Sequence, residues 1–182
     1  MFLLHGFTKD AYTWFDHRRG DMSKPVLPVM LFDLGYDVWL GNIRGTRYSL
    51  SHKKYDAFDD DKKFFNYEIE KIARNDIPTM IEQIMKTQAY YKKRGGRTCK
   101  KVNVIAHSAG VGQVLASMTY TVKSDRYVSQ VIGIEPCLIA QSDEYYPDLG
   151  MLEFAAFSYG MNLLGVESTF GDNWDNQVDL IC

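Results

Sequence analysis

"VIAHSAGVG", residues 104–112, is an apolar, strand-like run that breaks at His107-Ser108-Ala109 and passes at once into a Gly-rich, helix-like run. A serine between a strand and a helix sits on a sharp, strained turn, and that turn tolerates only small neighbours two residues before and two after. Here they are Ala106 and Gly110. The pattern A-x-S-x-G departs from the usual G-x-S-x-G by one methyl group. A helix starting behind Ser108 directs unpaired N–H groups and the positive end of its dipole toward the hydroxyl. The Ala109 N–H is therefore a candidate half of an oxyanion hole, which stabilises the charge that develops on a carbonyl oxygen under attack. The other half should come from the loop after an earlier strand. "HGF" (5–7) stands there: Gly6 frees the turn and the Phe7 N–H faces the same point. Taken alone, "AHSAG" also fits an ordinary Gly-rich strand-to-helix turn. The upstream "HG" loop, in the chain order that the chemistry requires, favours the nucleophile. His107 faces the opposite side of the turn, where packing or spacing is its expected role.

Working outward, apolar runs alternate with helical patterns. "FLLHG" (2–6) reads as a first strand stopped by a Gly turn. "PVLPVMLFDL" (25–34) reads as a short apolar helix with Gly35 as its stop, and "YDVWLGN" (36–42) as a second strand. In "NYEIEKIARNDIPTMIEQIMKTQ" (66–88), Ile69, Ile72, Ala73, Ile77, Met80, Ile81, Ile84 and Met85 recur at spacings of three and four, as an amphipathic helix requires. Pro78 marks a kink or fresh start within it, with Asp76 near the new N-terminus. "KVNVIA" (101–106) is the third strand, "AGVGQVLASMTYTV" (109–122) its helix, and "YVSQVIGIE" (127–135) the fourth strand. Strands alternating with helices imply a parallel α/β sheet.

The 182 residues fit one domain. A hydrophobic content of 46% suits a packed core, and a net charge of −2 gives no global reason to expect nucleic acid or an anionic membrane as partner. Cys99, Cys137 and Cys182 are odd in number and match no zinc spacing, and no metal or cofactor motif appears. "MFLLHGF" lacks the features of a signal peptide. No apolar run reaches the length of a membrane span, so no transmembrane segment is expected. "YYKKRGGRTCKK" (90–101) is basic and aromatic but reads as a solvated loop rather than a nucleic-acid site. "DAFDDDKK" (56–63) lacks calcium-loop spacing and reads as an exposed loop. Asn42 and Arg44, in "GNIRG", are expected to fix the loop after the second strand.

Four segments carry a family resemblance: "LLHGF" (3–7), "LGYDVWLGNIRGTRYSLSH" (34–52), "NYEIEKIARNDIPTMIEQI" (66–84) and "VIAHSAG" (104–110). Together they resemble the acid lipases, the α/β-hydrolase family of gastric and lysosomal lipases. The second segment is the most specific. The resemblance implies a partial α/β-hydrolase fold, with about four parallel central strands, flanking helices and the start of a cap. On that division residues 1–136 are the core and 137–182 begin the cap, where "MLEFAAFSYGMNLLGV" (151–166) reads as lid surface or cap core. It further implies hydrolysis of neutral-lipid carboxylic esters through a serine acyl-enzyme, with no cofactor. Ser108 matches the family's nucleophile, and Phe7 and Ala109 match its oxyanion positions. The implied partners are a lipid ester substrate and a lipid interface met through the cap. A secreted or lysosomal destination is also implied, with no encoded signal for it in this chain.

The departures from the family weigh as much as the match. The catalytic order in this fold is Ser, acid, His, yet His5, His17, His52 and His107 all precede Ser108. The chain reads as an internal fragment with bare outer strands. Glu135, ending the fourth strand, is the weak candidate for the acid, and His52 matches a structural position after the Arg-Gly loop. A serine without a base keeps its proton and attacks poorly. Near-zero esterase activity is therefore expected of this chain, and the alternative reading is a non-catalytic, lipid-binding relative of the enzymes or an unproductive truncated product.

Overall fold

The computed structural model describes residues 1–16, 24–96 and 98–136; the expected cap at 137–182, with Cys137 and Cys182, lies outside the described residues. Four parallel strands form one sheet: β1 (Phe2–Leu4), β2 (Trp39–Gly41), β3 (Val102–His107) and β4 (Val128–Ile134), in the order β2-β1-β3-β4. The register aligns Leu40, Leu3, Ile105 and Ile132 in one row across the sheet. This is the expected parallel α/β sheet with flanking helices. β2 is shorter than "YDVWLGN" predicts, because only three residues find partners on β1.

The two sheet faces bury different sets. On one, Phe2, Leu4, Val104 and Ala106 pack with Ile72, Ile77, Ile81 and Ile84 of the long helical segment and with Val111 and Val114 behind the serine. Burying each such aliphatic side chain contributes about 1.5–3 kcal/mol, which dominates any difference in helix propensity. On the other, Leu3 and Ile105 meet Trp14 and Leu31. Leu31 belongs to α1 (Leu27–Asp33), which ends at Gly35 with φ +85°, as its sequence predicts.

The 66–88 pattern resolves into three pieces. A helical turn at Ile69–Lys71 leads into a π-helical stretch at Ile72–Asp76, and a long helix, α2, runs Ile77–Lys92 with Pro78 in its first turn. The break expected at Pro78 is therefore a fresh start approached through a π turn. Asp76 does not cap that helix with its side chain. Its carboxylate instead takes two hydrogen bonds from Arg44 Nε, at 2.8 and 3.0 Å, a third from the Arg44 Nη2 and a fourth from the Arg44 backbone N–H. The "GNIRG" loop after β2 is thus tied to the helix start, and Asn42 Oδ1 accepts from the Ala11 N–H at 2.9 Å. Both residues fix the loop, as the sequence suggests.

Behind the serine, α3 runs Ala109–Tyr120 and a short helix, α4, follows at Val122–Tyr127. The sequence reading did not separate α4. Its start is signalled by Thr121, whose hydroxyl caps the Ser124 N–H, and by a buried Ser117–Ser124 hydroxyl contact of 2.6 Å. "DAFDDDKK" is largely exposed, with Ala57 buried, and leads into a helical turn at Asp61–Phe64; Asp56 Oδ1 accepts from the Phe58 and Asp59 N–H groups.

Candidate active site

The chain runs from β1 to β2 on one side of the sheet and then returns to place β3 on the other side of β1. The strand order therefore reverses between β1 and β3. In open α/β sheets the crevice at the carboxyl ends of such strands is where ligands bind. The loops that matter here, His5–Thr8 after β1 and Ser108 after β3, leave the sheet at that point.

Backbone strain collects at the same edge. The three non-glycine residues with positive φ among those described are Thr8 (+61°), Ser108 (+51°) and Glu135 (+46°), each just past the end of β1, β3 or β4. Such conformations cost on the order of 1–3 kcal/mol each and persist only where the surroundings enforce them. At Ser108 (φ +51°, ψ −129°) the enforcement is visible. Its N–H donates to the Ile134 carbonyl at 2.9 Å, extending the β3–β4 ladder into the turn, and its carbonyl accepts from the Val111 N–H at 3.0 Å, opening the helix. A strand bond and a helix bond on the same residue leave no relaxed conformation between them.

The small neighbours are small for identifiable reasons. A methyl on Gly110 would lie 2.5 Å from the His5 carbonyl oxygen, so α3 meets the end of β1 with nothing between their backbones. A methyl on Gly6 would lie 2.9 Å from Ser108 Cβ and 3.0 Å from His107 Nδ1. The "HG" loop and the serine turn are thus in direct contact. Phe7 follows Gly6 in that loop, and Ala109 is the first residue of α3, among the helix's unpaired N–H donors.

The remaining candidates distribute as follows. His107 Nε2 lies 3.2 Å from Glu135 Oε2, while its buried Nδ1 has no hydrogen-bond partner among the described residues. Glu135, exposed just past the end of β4, is the partner of His107 Nε2. His52 Nδ1 accepts from the Lys54 and Tyr55 N–H groups at 3.1 and 3.0 Å, and the ring stacks on Tyr55 at 5.0 Å, which makes it a loop organiser. His17 lies outside the described residues.

One site residue carried no role in the sequence reading. His5 is buried; its Nδ1 lies 2.7 Å from the Gly6 carbonyl and its Nε2 accepts from the Ile43 N–H at 3.2 Å. Burial holds its pKa below the usual imidazole value. His107 pushes the same way, and the Gly6 carbonyl and Asp10 oppose it. The signal available in the sequence was an imidazole beside the loop glycine, but its partner is 38 positions away. Among the described residues no cluster of His, Cys, Asp and Glu is arranged to hold a metal ion. No helix among them is long and apolar enough to cross a membrane.

No family model matches the chain. Curated relatives do. A probable lipase of Schizosaccharomyces pombe is 32% identical over 136 residues, spanning 75% of this chain and 28% of that protein. Gastric triacylglycerol lipase of Bos taurus is 33% identical over 110 residues, 60% of this chain and 24% of that one. Lysosomal acid lipase/cholesteryl ester hydrolase of Homo sapiens is 33% identical over 95 residues, 50% and 22% respectively. The chain spans about a quarter of the length of these relatives. Among solved structures, a methylesterase from Arabidopsis matches with a TM-score of 0.46 and 16% identity, over 87% of this chain and 63% of that one.

Proposed function

We propose, from the premise that this chain is related to the gastric and lysosomal lipases, that it carries the nucleophile and oxyanion half of a carboxylic ester hydrolase. The substrates of that chemistry are neutral-lipid esters. The Ser108 oxygen attacks the ester carbonyl carbon, its proton passes to a base, and the carbonyl oxygen becomes an oxyanion held by the Phe7 and Ala109 N–H groups. Collapse of that intermediate expels the alcohol, which takes up a proton, and leaves an acyl-serine. Water then attacks the acyl carbon and releases the carboxylic acid and the free serine. The observation that carries this reading is the strained Ser108 backbone at the β1/β3 switch point, with Gly6 pressed against it.

Among the described residues no histidine is hydrogen-bonded to the Ser108 hydroxyl, which supports a chain short of its base. His5 Nε2 is engaged by Ile43, His52 Nδ1 by its own loop, and His107 Nε2 by Glu135. Removal of triad members costs on the order of a million-fold in a protease where it has been dissected. Residues 1–182 alone are expected to turn over p-nitrophenyl butyrate at the buffer rate, indistinguishable from Ser108→Ala. Exogenous imidazole, acting as the missing base, should open a gap between the two proteins. Equal rates at every imidazole concentration would reject the nucleophile. A rapid turnover without imidazole that Ser108→Ala abolishes would reject the inactivity.

A second reading rests on the order of the chain, in which all four histidines precede Ser108: a non-catalytic relative of the hydrolases that binds lipid esters without cleaving them. It predicts saturable binding of a fluorescent acyl ester with no difference between wild type and Ser108→Ala in imidazole. On either reading residues 1–136 are proposed as the core unit; the proposed cap, 137–182, lies outside the described residues.

A further inference from the structure

The two hydrogen bonds of His5 fix its chemical state. A carbonyl oxygen only accepts, so the Nδ1 lying 2.7 Å from the Gly6 oxygen must carry the proton. A backbone N–H only donates, so the Nε2 facing Ile43 must be bare. The two bonds are satisfied together only by the neutral ring with its proton on Nδ1. Through them one imidazole joins the turn at the end of β1 to the loop at the end of β2. The His5 carbonyl in turn lies under Gly110 of α3, where a methyl would be 2.5 Å away. The Gly6 carbonyl also receives the Lys9 N–H at 3.4 Å, closing the turn that contains Phe7.

We infer that His5 is a positioning residue for the oxyanion loop: its neutral imidazole, bridging Gly6 and Ile43, sets where the Phe7 N–H points. The inference rests on the acyl-transfer reading for the purpose of that N–H, and on geometry alone for the anchorage. Protonation of Nε2 replaces an acceptor with a donor opposite the Ile43 N–H, so the bridge to β2 is lost and the loop is held from one side only. Burial delays that event below the ordinary imidazole range, with His107 of β3 acting in the same direction. Asp10 and the Gly6 carbonyl act against it. Asp10 comes from the segment after the loop, where it is paired with Arg47 at 2.8 Å.

The test is a nuclear magnetic resonance titration of the whole chain, labelled with ¹⁵N. The expected result is a His5 ring protonated on Nδ1 at neutral pH. The Ile43 and Phe7 amide signals should then move together on acidification, with one midpoint below the ordinary imidazole value. In His5→Gln, whose amide oxygen accepts from Ile43 and does not titrate, both movements should vanish while the neutral-pH position of the Phe7 signal is kept. A ring protonated on Nε2, or a Phe7 signal that stays flat through the His5 titration, overturns the inference. The wild-type measurement needs no variant to fold. Failure of Ser108 to react with a fluorophosphonate in the presence of imidazole, while the coupled titration holds, rejects acyl transfer and supports the anchorage. Reaction of Ser108 with a flat Phe7 signal rejects His5 alone.

Discussion

At the scale of single residues, backbone approach decides what the turn tolerates. Gly→Ala inside a helix ordinarily stabilises by roughly 0.5–1 kcal/mol, but at Gly110 the added methyl meets the His5 carbonyl at 2.5 Å. The sign should therefore invert: Gly110→Ala is expected to cost about 1–3 kcal/mol in urea denaturation, and an unchanged midpoint would refute the close approach. His5 adds a pH term. Its folded pKa is lowered, chiefly by burial, so the unfolded chain binds the proton more readily. Stability is then full above the unfolded imidazole value of about 6.5 and is lost as pH falls from there through the lowered folded value. Denaturation midpoints between neutral pH and pH 5 should fall for wild type and flatten for His5→Gln. Ala106, Ser108 and Gly110 were legible in the sequence because their constraint is local, a turn in which neighbours two residues away crowd the serine. His5 was not, because the amide that fixes it belongs to a different loop. Nor were Thr8 and Glu135 legible as strained positions, since nothing in their local sequence calls for positive φ.

At the scale of elements, hydrophobic spacing predicted the long helical segment and tertiary contacts decided its shape. Ile77, Ile81 and Ile84 are buried as the three-four rhythm requires, while the π stretch at Ile72–Asp76 has no signature in that rhythm. The π stretch ends at Asp76, where the carboxylate meets Arg44. That pairing suggests a ranking of ion pairs. Asp76→Ala removes charge-assisted bonds from a largely buried carboxylate and should cost about 1–3 kcal/mol. Glu70→Ala breaks an exposed helix-surface pair with Arg74 and should cost about 0.5 kcal/mol or less. Comparable losses in the two variants would show that the Arg44 clamp does not anchor the loop. The short helix at Val122–Tyr127 escaped the sequence reading because six residues are too few to display a period, and only its Thr121 cap announces it.

At the scale of the whole molecule, the sheet order places two loops from separate strands against one serine. That order was legible because strands alternate with helices and because the serine motif follows an "HG" loop. The faces left open were legible only as an expectation of bare edges. In the structure Phe32 of α1 and Leu34 just after it are 70% and 73% exposed, and Ile132 and Ile134 on β4 are also uncovered. Exposed apolar surface of this kind favours association. The chain is expected to scatter light increasingly with concentration, and Phe32→Ser with Leu34→Ser should reduce that scattering without lowering the denaturation midpoint; undiminished scattering would mean that other surfaces associate. The central claim, that the turn after β3 presents an acylation-competent serine to two backbone donors, is tested most directly by labelling the chain with a fluorophosphonate in the presence of imidazole and mapping the adduct by mass spectrometry. The account predicts a single stoichiometric adduct on Ser108, absent in Ser108→Ala. A chain that stays unlabelled, or adducts spread over other serines and tyrosines with none favoured at position 108, would contradict it.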